Sequence, residues 1–423
     1  MGTELIHSDL MHQIAAVLFG AALLHTFGAK FFEGLAHRHP KHAGLFHLLG
    51  EVEVVFGFWA FVLIACMALV AGSGPAIAYA ESRQFTEPLF VCVVMVVAAS
   101  RPVLDVVARS MNLLARLLPL PRPLALAWLG LAVVPLLGSL VTEPAAMTLA
   151  ALMLAPLLFT PAMPERLKYA ALGVLFVNIS IGGTLTAYAA PPVLMVAATW
   201  QWDTAFMAST FGWKAALAVL LNATVMVLLL RKPLRAAPPP PRTAEVSIPW
   251  VVSAVHLAFL AGVVLLAHHP VLFLGLFLFF LGYTQAYARF QNPLILKEGL
   301  LVGFFLAGLV VLGGMQQWWL QPIVESLAPT ALFFGALGLT AVTDNAALTY
   351  MGSLIVGISD PAKYMLVAGA VAGGGLTVIA NAPNPAGVAL LRAGFQDQSI
   401  GAGGLLLGAL LPTAVTAAFF LLL

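Results

Sequence analysis

Residues 343–349 read TDNAALT and place the carboxylate of Asp344 inside a long apolar stretch of the chain. A second stretch, residues 142–148, reads TEPAAMT and repeats this pattern about two hundred residues earlier, with Glu143 in the acidic position. A charge at the centre of a bilayer costs about 3 kcal/mol or more unless it is paired, hydrated or neutralised. Two carboxylates in matching apolar segments therefore predict a functional site to which both contribute.

The composition of the chain is that of a membrane protein. Of its 423 residues, 61% are hydrophobic and only 9% are charged, and the mean hydropathy is +1.01. Soluble domains carry about 25% charged residues, so a soluble globular fold is excluded. Cys66 and Cys92 both lie in apolar segments, which indicates helix packing and not a disulfide. No basic segment precedes the first apolar run, so we expect no cleaved signal peptide.

Apolar runs of about 20 residues predict ten helices that cross the membrane. They lie near 10–29, 51–72, 88–108, 168–199 and 211–231 in the first half, and near 249–267, 270–288, 297–315, 361–391 and 402–423 in the second. Two further apolar segments, about 124–160 and 328–358, remain between the third and fourth helix of each half. Each contains one carboxylate motif, and we expect both to form re-entrant hairpins.

The positions of the basic residues favour hairpins that turn back within the membrane. If both segments turn back, sixteen Lys and Arg residues fall on one side and only Arg83, Lys214 and Lys363 on the other. Basic residues accumulate in cytoplasmic loops, so the first side is predicted to be cytoplasmic and both termini to be periplasmic. The first hairpin would then enter from the cytoplasm and the second from outside.

Five crossings in each half is an odd number, so the two halves have opposite orientations in the membrane. This arrangement is an inverted repeat, which occurs in several secondary transporter folds. The predicted fold is an all-α polytopic membrane protein with an inverted 5+5 transmembrane repeat, two re-entrant hairpins and two discontinuous helices. The first repeat is predicted over 1–231 and the second over 249–423, with a proline-rich cytoplasmic linker at 232–248.

Two of the predicted helices contain residues that interrupt a helix. The helix near 168–199 carries NISIGGTLT at 178–186 and a proline pair at 191–192. The helix near 361–391 carries GGGLT at 373–377 and NAPNP at 381–385. Irregular backbone at membrane depth is tolerated only where it is buried in protein or lines a cavity. Both helices are therefore predicted to be discontinuous, with polar groups available at the breaks.

The polar residues at the hairpin tips and helix breaks form the predicted site for cations and protons. They are Glu143, Asp344, Thr142, Thr343, Asn345, Asn178, Thr184, Thr186, Thr377, Asn381 and Asn384. None of these residues is Lys or Arg and two are acidic. The negative charge of the predicted site therefore favours a small cation over a multivalent anion. Carboxylate, amide and hydroxyl oxygens suit hard ions such as Na⁺. Because burial also favours a protonated carboxyl group, Na⁺ and protons could compete for the same oxygens.

Structural roles are the alternative for several of these residues. Asp344 can cap the helix that starts near Asn345, and Asn178 and Asn381 can form hydrogen bonds between helices. A His-rich basic loop at 37–47 is interpreted as a solvated loop beside lipid, with pH sensing as the alternative role.

The repeated combination of these motifs resembles the ion transporter superfamily, which includes divalent anion/sodium symporters, arsenite permeases and sodium/proton antiporters. TDNAALT at 343–349 and NAPNP at 381–385 are most similar to its bacterial sodium/proton antiporter branch. The resemblance implies a homodimer in which each protomer has a scaffold domain and a transport domain that moves as an elevator. Its dicarboxylate branch has a Ser-Asn-Thr motif at each hairpin tip. Acidic residues stand there in this chain, which argues against a carboxylate substrate.

The sequence predicts a secondary active antiporter of a bacterial inner membrane that exchanges Na⁺ or Li⁺ for protons. Membrane lipid and small cations are the expected partners, with no nucleic acid and no cofactor besides the transported ions. The alternative is a Na⁺- or H⁺-coupled transporter of a small organic or inorganic anion, and a passive channel is a further rival. An enzyme is not expected, because the sequence shows no nucleophile with its base and no phosphate-binding loop.

Overall fold

The structure, a computed structural model, describes residues 6, 8–26, 28–236 and 247–423. The described residues are helical or irregular and contain no strand. The α-helices are Asp9–Thr26, Ala29–Arg38, Ala43–Gly50, Val52–Ala71, Ser73–Glu81, Thr86–Ala98, Arg101–Leu117, Arg122–Leu131, Val133–Val141, Glu143–Leu158, Glu165–Gly182, Pro191–Trp200, Thr204–Met207, Trp213–Ala236, Trp250–Leu265, Pro270–Ala286, Leu296–Gly313, Gln317–Ser326, Pro329–Thr340, Asn345–Ser353, Asp360–Gly373, Asn384–Leu391 and Ala402–Leu422.

Several of these helices have the length and composition of membrane crossings. Five qualify singly, namely Glu53–Ala71, Glu165–Leu185, Thr204–Leu234, Leu296–Gly313 and Ala402–Leu422. Two bent pairs raise the number to seven if each pair is counted as one crossing. An all-α protein with apolar helices typical of a membrane transporter is therefore confirmed, whereas the total of ten crossings stays a prediction.

The helix expected near 88–108 is two helices in the structure. Thr86–Ala98 and Arg101–Leu117 meet at an angle of 62°, and Ser100 between them has extended backbone. Pro102 lies in the first turn of the second helix. It has no N–H to donate, and its ring collides with the carbonyl four residues earlier in a continuous helix. The chain therefore changes direction just before this proline.

Both helices that were expected to be discontinuous are interrupted in the structure. The first broken helix comprises Glu165–Gly182, a single 3₁₀ turn at Gly183–Leu185, and Pro191–Trp200. The second broken helix comprises Asp360–Gly373 and Asn384–Leu391. A glycine pair ends the first part of the first broken helix and a run of three glycines that of the second, and a proline lies in the first turn of each second part.

The segment that carries Glu143 folds back on itself at Thr142. A Cβ added at Gly138 would lie 3.2 Å from the Cβ of Ala146, and one at Gly130 would lie 2.8 Å from Leu154. These contacts align the chain before the turn antiparallel to Glu143–Leu158. The re-entrant position of this hairpin in a membrane stays a prediction.

The segment that carries Asp344 turns at 341–344, between Pro329–Thr340 and Asn345–Ser353. Its first helix packs closely on the first part of the second broken helix. A Cβ at Gly369 would lie 2.2 Å from the carbonyl oxygen of Phe333, and one at Gly373 would lie 2.5 Å from that of Leu337. The two glycines let these backbones approach, as small residues do between membrane helices.

The chain divides into two compact units. The smaller contains residues 1–92, 296–328 and 350–359, and the larger contains 93–295, 329–349 and 360–423. All eleven residues of the predicted site belong to the larger unit. Each unit combines segments from both predicted repeats, and the repeat boundaries themselves stay a prediction.

The centre of the larger unit is the first part of the first broken helix, Glu165–Gly182. Its side chains are buried on nearly all faces, as expected for a helix that is apolar all round and lies in a core. Gly173 packs on Ala402–Leu422, where an added Cβ would lie 2.3 Å from the carbonyl carbon of Gly408. At the end of this helix, Gly182 packs on the chain before Thr142, where an added Cβ would lie 2.5 Å from Pro135 O.

The predicted linker at 232–248 begins inside a helix, because Trp213–Ala236 continues through its first five residues. Residues 237–246 of this linker, with the proline run, lie outside the described residues.

Candidate cation-binding site

Thr142 forms the tip of the first acidic turn, which we define as Thr142 with Glu143. Its backbone has φ +96° and ψ 151°, a region that residues other than glycine rarely occupy and that costs about 1–3 kcal/mol. The turn is closed by hydrogen bonds from Thr142 N to Gly138 O and from Ala146 N to Thr142 O. Pro144 follows in the first helical turn, where its missing N–H would have no partner in any case.

The Glu143 side chain is completely buried at the start of the helix Glu143–Leu158. Its Oε2 accepts a hydrogen bond of 2.9 Å from Nδ2 of Asn381, whereas Oε1 has no hydrogen-bond partner. The carboxyl group packs against Gly183 of the first break, where a Cβ would lie 2.6 Å from Oε1. Glycine at this position is therefore what leaves room for the acid.

Hydroxyl groups hold the first break beside the first acidic turn. Ser139 Oγ donates to Gly182 O at 2.7 Å and accepts from Leu185 N at 2.9 Å. Thr186 Oγ1 donates to Ser139 O, while Thr184 Oγ1 donates to Ile181 O in its own helix. In the structure, the two predicted threonine hydroxyls thus stabilise the break through backbone carbonyls.

The second acidic turn, Thr343 with Asp344, is connected to the second break. Asn345 N donates to Ala380 O at 3.1 Å, and the next residue, Asn381, is the partner of Glu143. Asp344 Oδ1 accepts from the N–H groups of Ala346 and Ala347, so it caps the helix Asn345–Ser353. The two acidic turns are thereby joined through two adjacent residues of the second broken helix.

Asn384 closes the second break. Its Nδ2 donates to Gly374 O at 2.8 Å and to Thr377 O at 2.9 Å. Thr377 Oγ1 in turn donates to Ala341 O at 2.8 Å, which parallels the bond from Thr186 in the first break. Asn345 packs on the same glycine, since a Cβ at Gly374 would lie 3.0 Å from its Nδ2.

Several buried side-chain oxygens in these turns and breaks have no hydrogen-bond partner. They are Thr142 Oγ1, Glu143 Oε1, Asn345 Oδ1, Asn381 Oδ1 and Asn384 Oδ1. Leaving a buried acceptor unsatisfied costs about 1–3 kcal/mol, so five in connected elements require an explanation. A cation or a buried water that lies among them would satisfy the oxygens that it contacts.

As ligands, these oxygens have the chemistry of a site for a hard ion. They are amide, hydroxyl and carboxylate oxygens, which suit Na⁺ and similar ions. Throughout the described part of the chain, no group of three or more His, Cys, Asp and Glu residues is placed to hold a metal.

Asn178 is occupied by contacts within the protein. Its Nδ2 donates to Leu131 O at 2.8 Å and to Val219 O at 3.3 Å, and its Oδ1 accepts from Asn222. These bonds connect three helices, which matches the alternative role of Asn178 in hydrogen bonding between helices. Thr343 Oγ1 likewise donates to Leu339 O. The structure does not bring either side chain to the oxygens around Glu143 through a described contact.

Two serines in the site were not identified from the sequence. Ser139 bonds the first break, and Ser180 Oγ donates to Val371 O at 2.7 Å and lies 3.5 Å from Nδ2 of Asn345. Both were visible as polar residues in apolar runs, Ser139 one helical turn before Thr142 and Ser180 inside NISIGG. Their partners are 43 to 191 residues away, which the sequence alone does not show.

Comparison with known proteins gives the family. Among solved structures, the chain is similar to the Alcanivorax borkumensis YdaH transporter, with 16% identity and a TM-score of 0.44 over 87% of this chain and 96% of that chain. No curated protein matches the chain. Residues 10–423 match a family described as "Putative Na+/H+ antiporter". Because this match covers nearly the whole sequence, the chain belongs to that family.

Proposed function

We propose that the protein is a secondary active transporter that exchanges Na⁺ or Li⁺ for protons across the bacterial inner membrane by alternating access. The observation that carries the proposal is the set of buried, unpartnered oxygens around Glu143 and Asn381. Membership of the antiporter family agrees with it. None of the residues that supply these oxygens is basic, so the site offers an anion no opposite charge.

Glu143 is the group on which exchange depends. Asn381 holds one carboxylate oxygen, and the other remains available for either a proton or a cation. A carboxylate that is buried with neither is strongly disfavoured. Because one loaded form excludes the other on the same oxygen, binding of Na⁺ displaces the proton.

Asp344 adds a second negative charge in the same unit. The two acidic turns are linked through Ala380 and Asn381, and like charges in a low-dielectric site oppose simultaneous ionisation. The empty, doubly ionised site is therefore the least favourable state. The site therefore rarely reorients across the membrane without a bound cation or proton. This requirement couples the Na⁺ flux to the proton flux.

The proposal includes the architecture expected from the sequence. The two acidic turns are re-entrant in an inverted repeat, both termini are periplasmic, and the protein is a homodimeric member of the ion transporter superfamily that moves as an elevator. The matching bonds from Thr186 to Ser139 O and from Thr377 to Ala341 O support a repeat. In each half, a threonine after the glycines fixes the broken helix to the chain before the acidic turn.

Purified protein in proteoliposomes tests the function. We expect Na⁺ or Li⁺, but not K⁺, to collapse an imposed pH gradient at a rate that saturates. Glu143→Gln should abolish this response. The amide carries no negative charge to balance Na⁺, and it does not take up and release a proton. A Na⁺ response that persists undiminished in both Glu143→Gln and Asp344→Asn would overturn the proposal. Uptake of a labelled anion that requires Na⁺ would instead support the coupled anion transporter.

A further inference from the structure

Lys168 is a buried charge that the site does not use. Its side chain is only 2% exposed, although it lies in the first turn of the first broken helix. The ammonium group pairs with Glu165, donates to Gly394 O and lies 5.3 Å from the centre of the Phe395 ring. Removing such a charge from water is costly unless its partners are well placed. The simplest interpretation is therefore a satisfied structural ion pair.

The partners of Lys168 connect two distant segments of the larger unit. Glu165 also accepts from Gln396 N at 3.1 Å. Gly394 packs so closely on the end of the first hairpin that a Cβ would lie 1.9 Å from Phe159 O. The residues that follow the second broken helix are thus bound to Phe159 and to the first turn of the first broken helix. We call Glu165, Lys168 and Gly394 the lysine clamp.

Three helices run between the lysine clamp and the cation site. Glu143–Leu158 begins at the site and ends beside Phe159, and Asn384–Leu391 begins at the second break and leads to Gly394. Glu165–Gly182 begins at the clamp and ends beside Gly183, which contacts Glu143. Since a helix rises 1.5 Å per residue, Glu143–Leu158 with its 16 residues spans about 24 Å and Asn384–Leu391 with its 8 residues spans about 12 Å. A shift of one helix at the clamp would therefore be carried to the site.

The second broken helix has a similar ion pair that is not buried. Lys363 pairs with Asp360 at the same spacing of three residues and at the same position in its helix. There the Asp360 side chain is 90% exposed and Lys363 is 21% exposed. Exposed pairs of this kind contribute little to stability. The chain therefore contains its own matched control for Lys168.

We propose that Lys168 is a positioning residue, whose clamp fixes the register of these three helices so that Asn381 and Glu143 meet in the cation site. The inference rests on the proposed function for its transport readout, because it concerns the shape of that same site. Lys168 contacts neither the ion nor Glu143. Its effect is on how well the site binds the cation.

The test compares Lys168→Met, the double variant Glu165→Gln with Lys168→Met, and Lys363→Met in proteoliposomes. We expect Lys168→Met to raise the apparent KM for Na⁺ at least fivefold with a smaller change in maximal rate, while Lys363→Met stays within twofold of wild type. The double variant leaves no unpaired acid behind. It should fold if Lys168→Met does not, and it should keep the raised KM because the bond to Gly394 is still missing.

Hydrogen exchange of the purified protein separates this inference from the transport function. Loss of the clamp should speed amide exchange both in residues 392–401 and in Asn384–Leu391, near the site, whether or not the protein transports Na⁺. Wild-type exchange in both segments of the folded variants would overturn the clamp, as would a wild-type KM. If wild-type protein shows no Na⁺ response, the proposed function fails, and the exchange rates alone then decide on the clamp.

Discussion

Asn381 donates a hydrogen bond of 2.9 Å to the carboxylate of Glu143, although 238 residues separate them in the chain. The carbonyl of the preceding residue, Ala380, accepts from the N–H of Asn345, which directly follows the second acidic turn. The second break therefore bonds both acidic turns with two consecutive residues. This relationship makes Asn381 the residue through which the two halves of the candidate site are held together.

Asn381→Ala should weaken Na⁺ binding while the protein still folds. It removes a buried hydrogen bond to a charged group, worth about 1.5–3 kcal/mol, and one of the unpartnered oxygens. We expect the apparent KM for Na⁺ to rise about tenfold or more, measured by pH-gradient collapse in proteoliposomes. Asn112→Ala is the control, since that amide bonds Ala108 O and Arg122 away from the site. Equal KM values for both variants would contradict the assignment.

Gly183→Ala should impair transport by displacing the acid. The added Cβ would lie 2.6 Å from Glu143 Oε1 and 2.8 Å from its Cγ, so the carboxyl group has to move. The added Cβ would also lie 3.1 Å from the Cβ of Ala190, so we expect a moderate fall in melting temperature together with a large loss of Na⁺-dependent proton flux. Gly338→Ala is the matched control, as nothing lies within 4 Å of its added Cβ. Normal flux in Gly183→Ala would show that this position of Glu143 is not needed.

Much of the site could be predicted because its residues break local rules. Glu143 and Asp344 are charges in apolar runs, and the glycine and proline groups cannot continue a helix. Such signals need no knowledge of distant contacts. The structure places Glu143, Asp344 and Asn381 at the turns and breaks that these signals marked, and their role in cation binding stays a prediction.

Features that depend on packing between distant segments could not be predicted. Lys168 is one of the sixteen basic residues that the sequence assigns to the predicted cytoplasmic side, yet the structure buries it against Gly394, 226 residues away. Asn178 and Asn381 are both asparagines near a predicted break, but the amide of Asn178 is used by Leu131, Val219 and Asn222. Only the course of the neighbouring helices distinguishes the two asparagines.

Thr142→Gly should be more stable than Thr142→Ala. Both variants lose the hydroxyl and methyl groups, but only alanine keeps a Cβ at φ +96°, which costs about 1–3 kcal/mol. We expect Thr142→Gly to melt several degrees above Thr142→Ala in detergent. Both should bind Na⁺ more weakly than wild type, because each lacks the unpartnered hydroxyl oxygen. Identical melting temperatures would indicate that the backbone at Thr142 is not strained.

Asp344→Asn should separate helix capping from ion binding. Asp344 accepts from Ala346 N and Ala347 N, and an asparagine oxygen caps a helix about as well as an aspartate. We therefore expect Asp344→Asn to keep the wild-type melting temperature but to lose most of its Na⁺-driven proton flux. Asp344→Ala should lose the flux and about 1 kcal/mol of stability as well. If Asp344→Asn transports like wild type and only Asp344→Ala is destabilised, capping is the whole role of this residue, and Glu143 alone carries the exchanged charge.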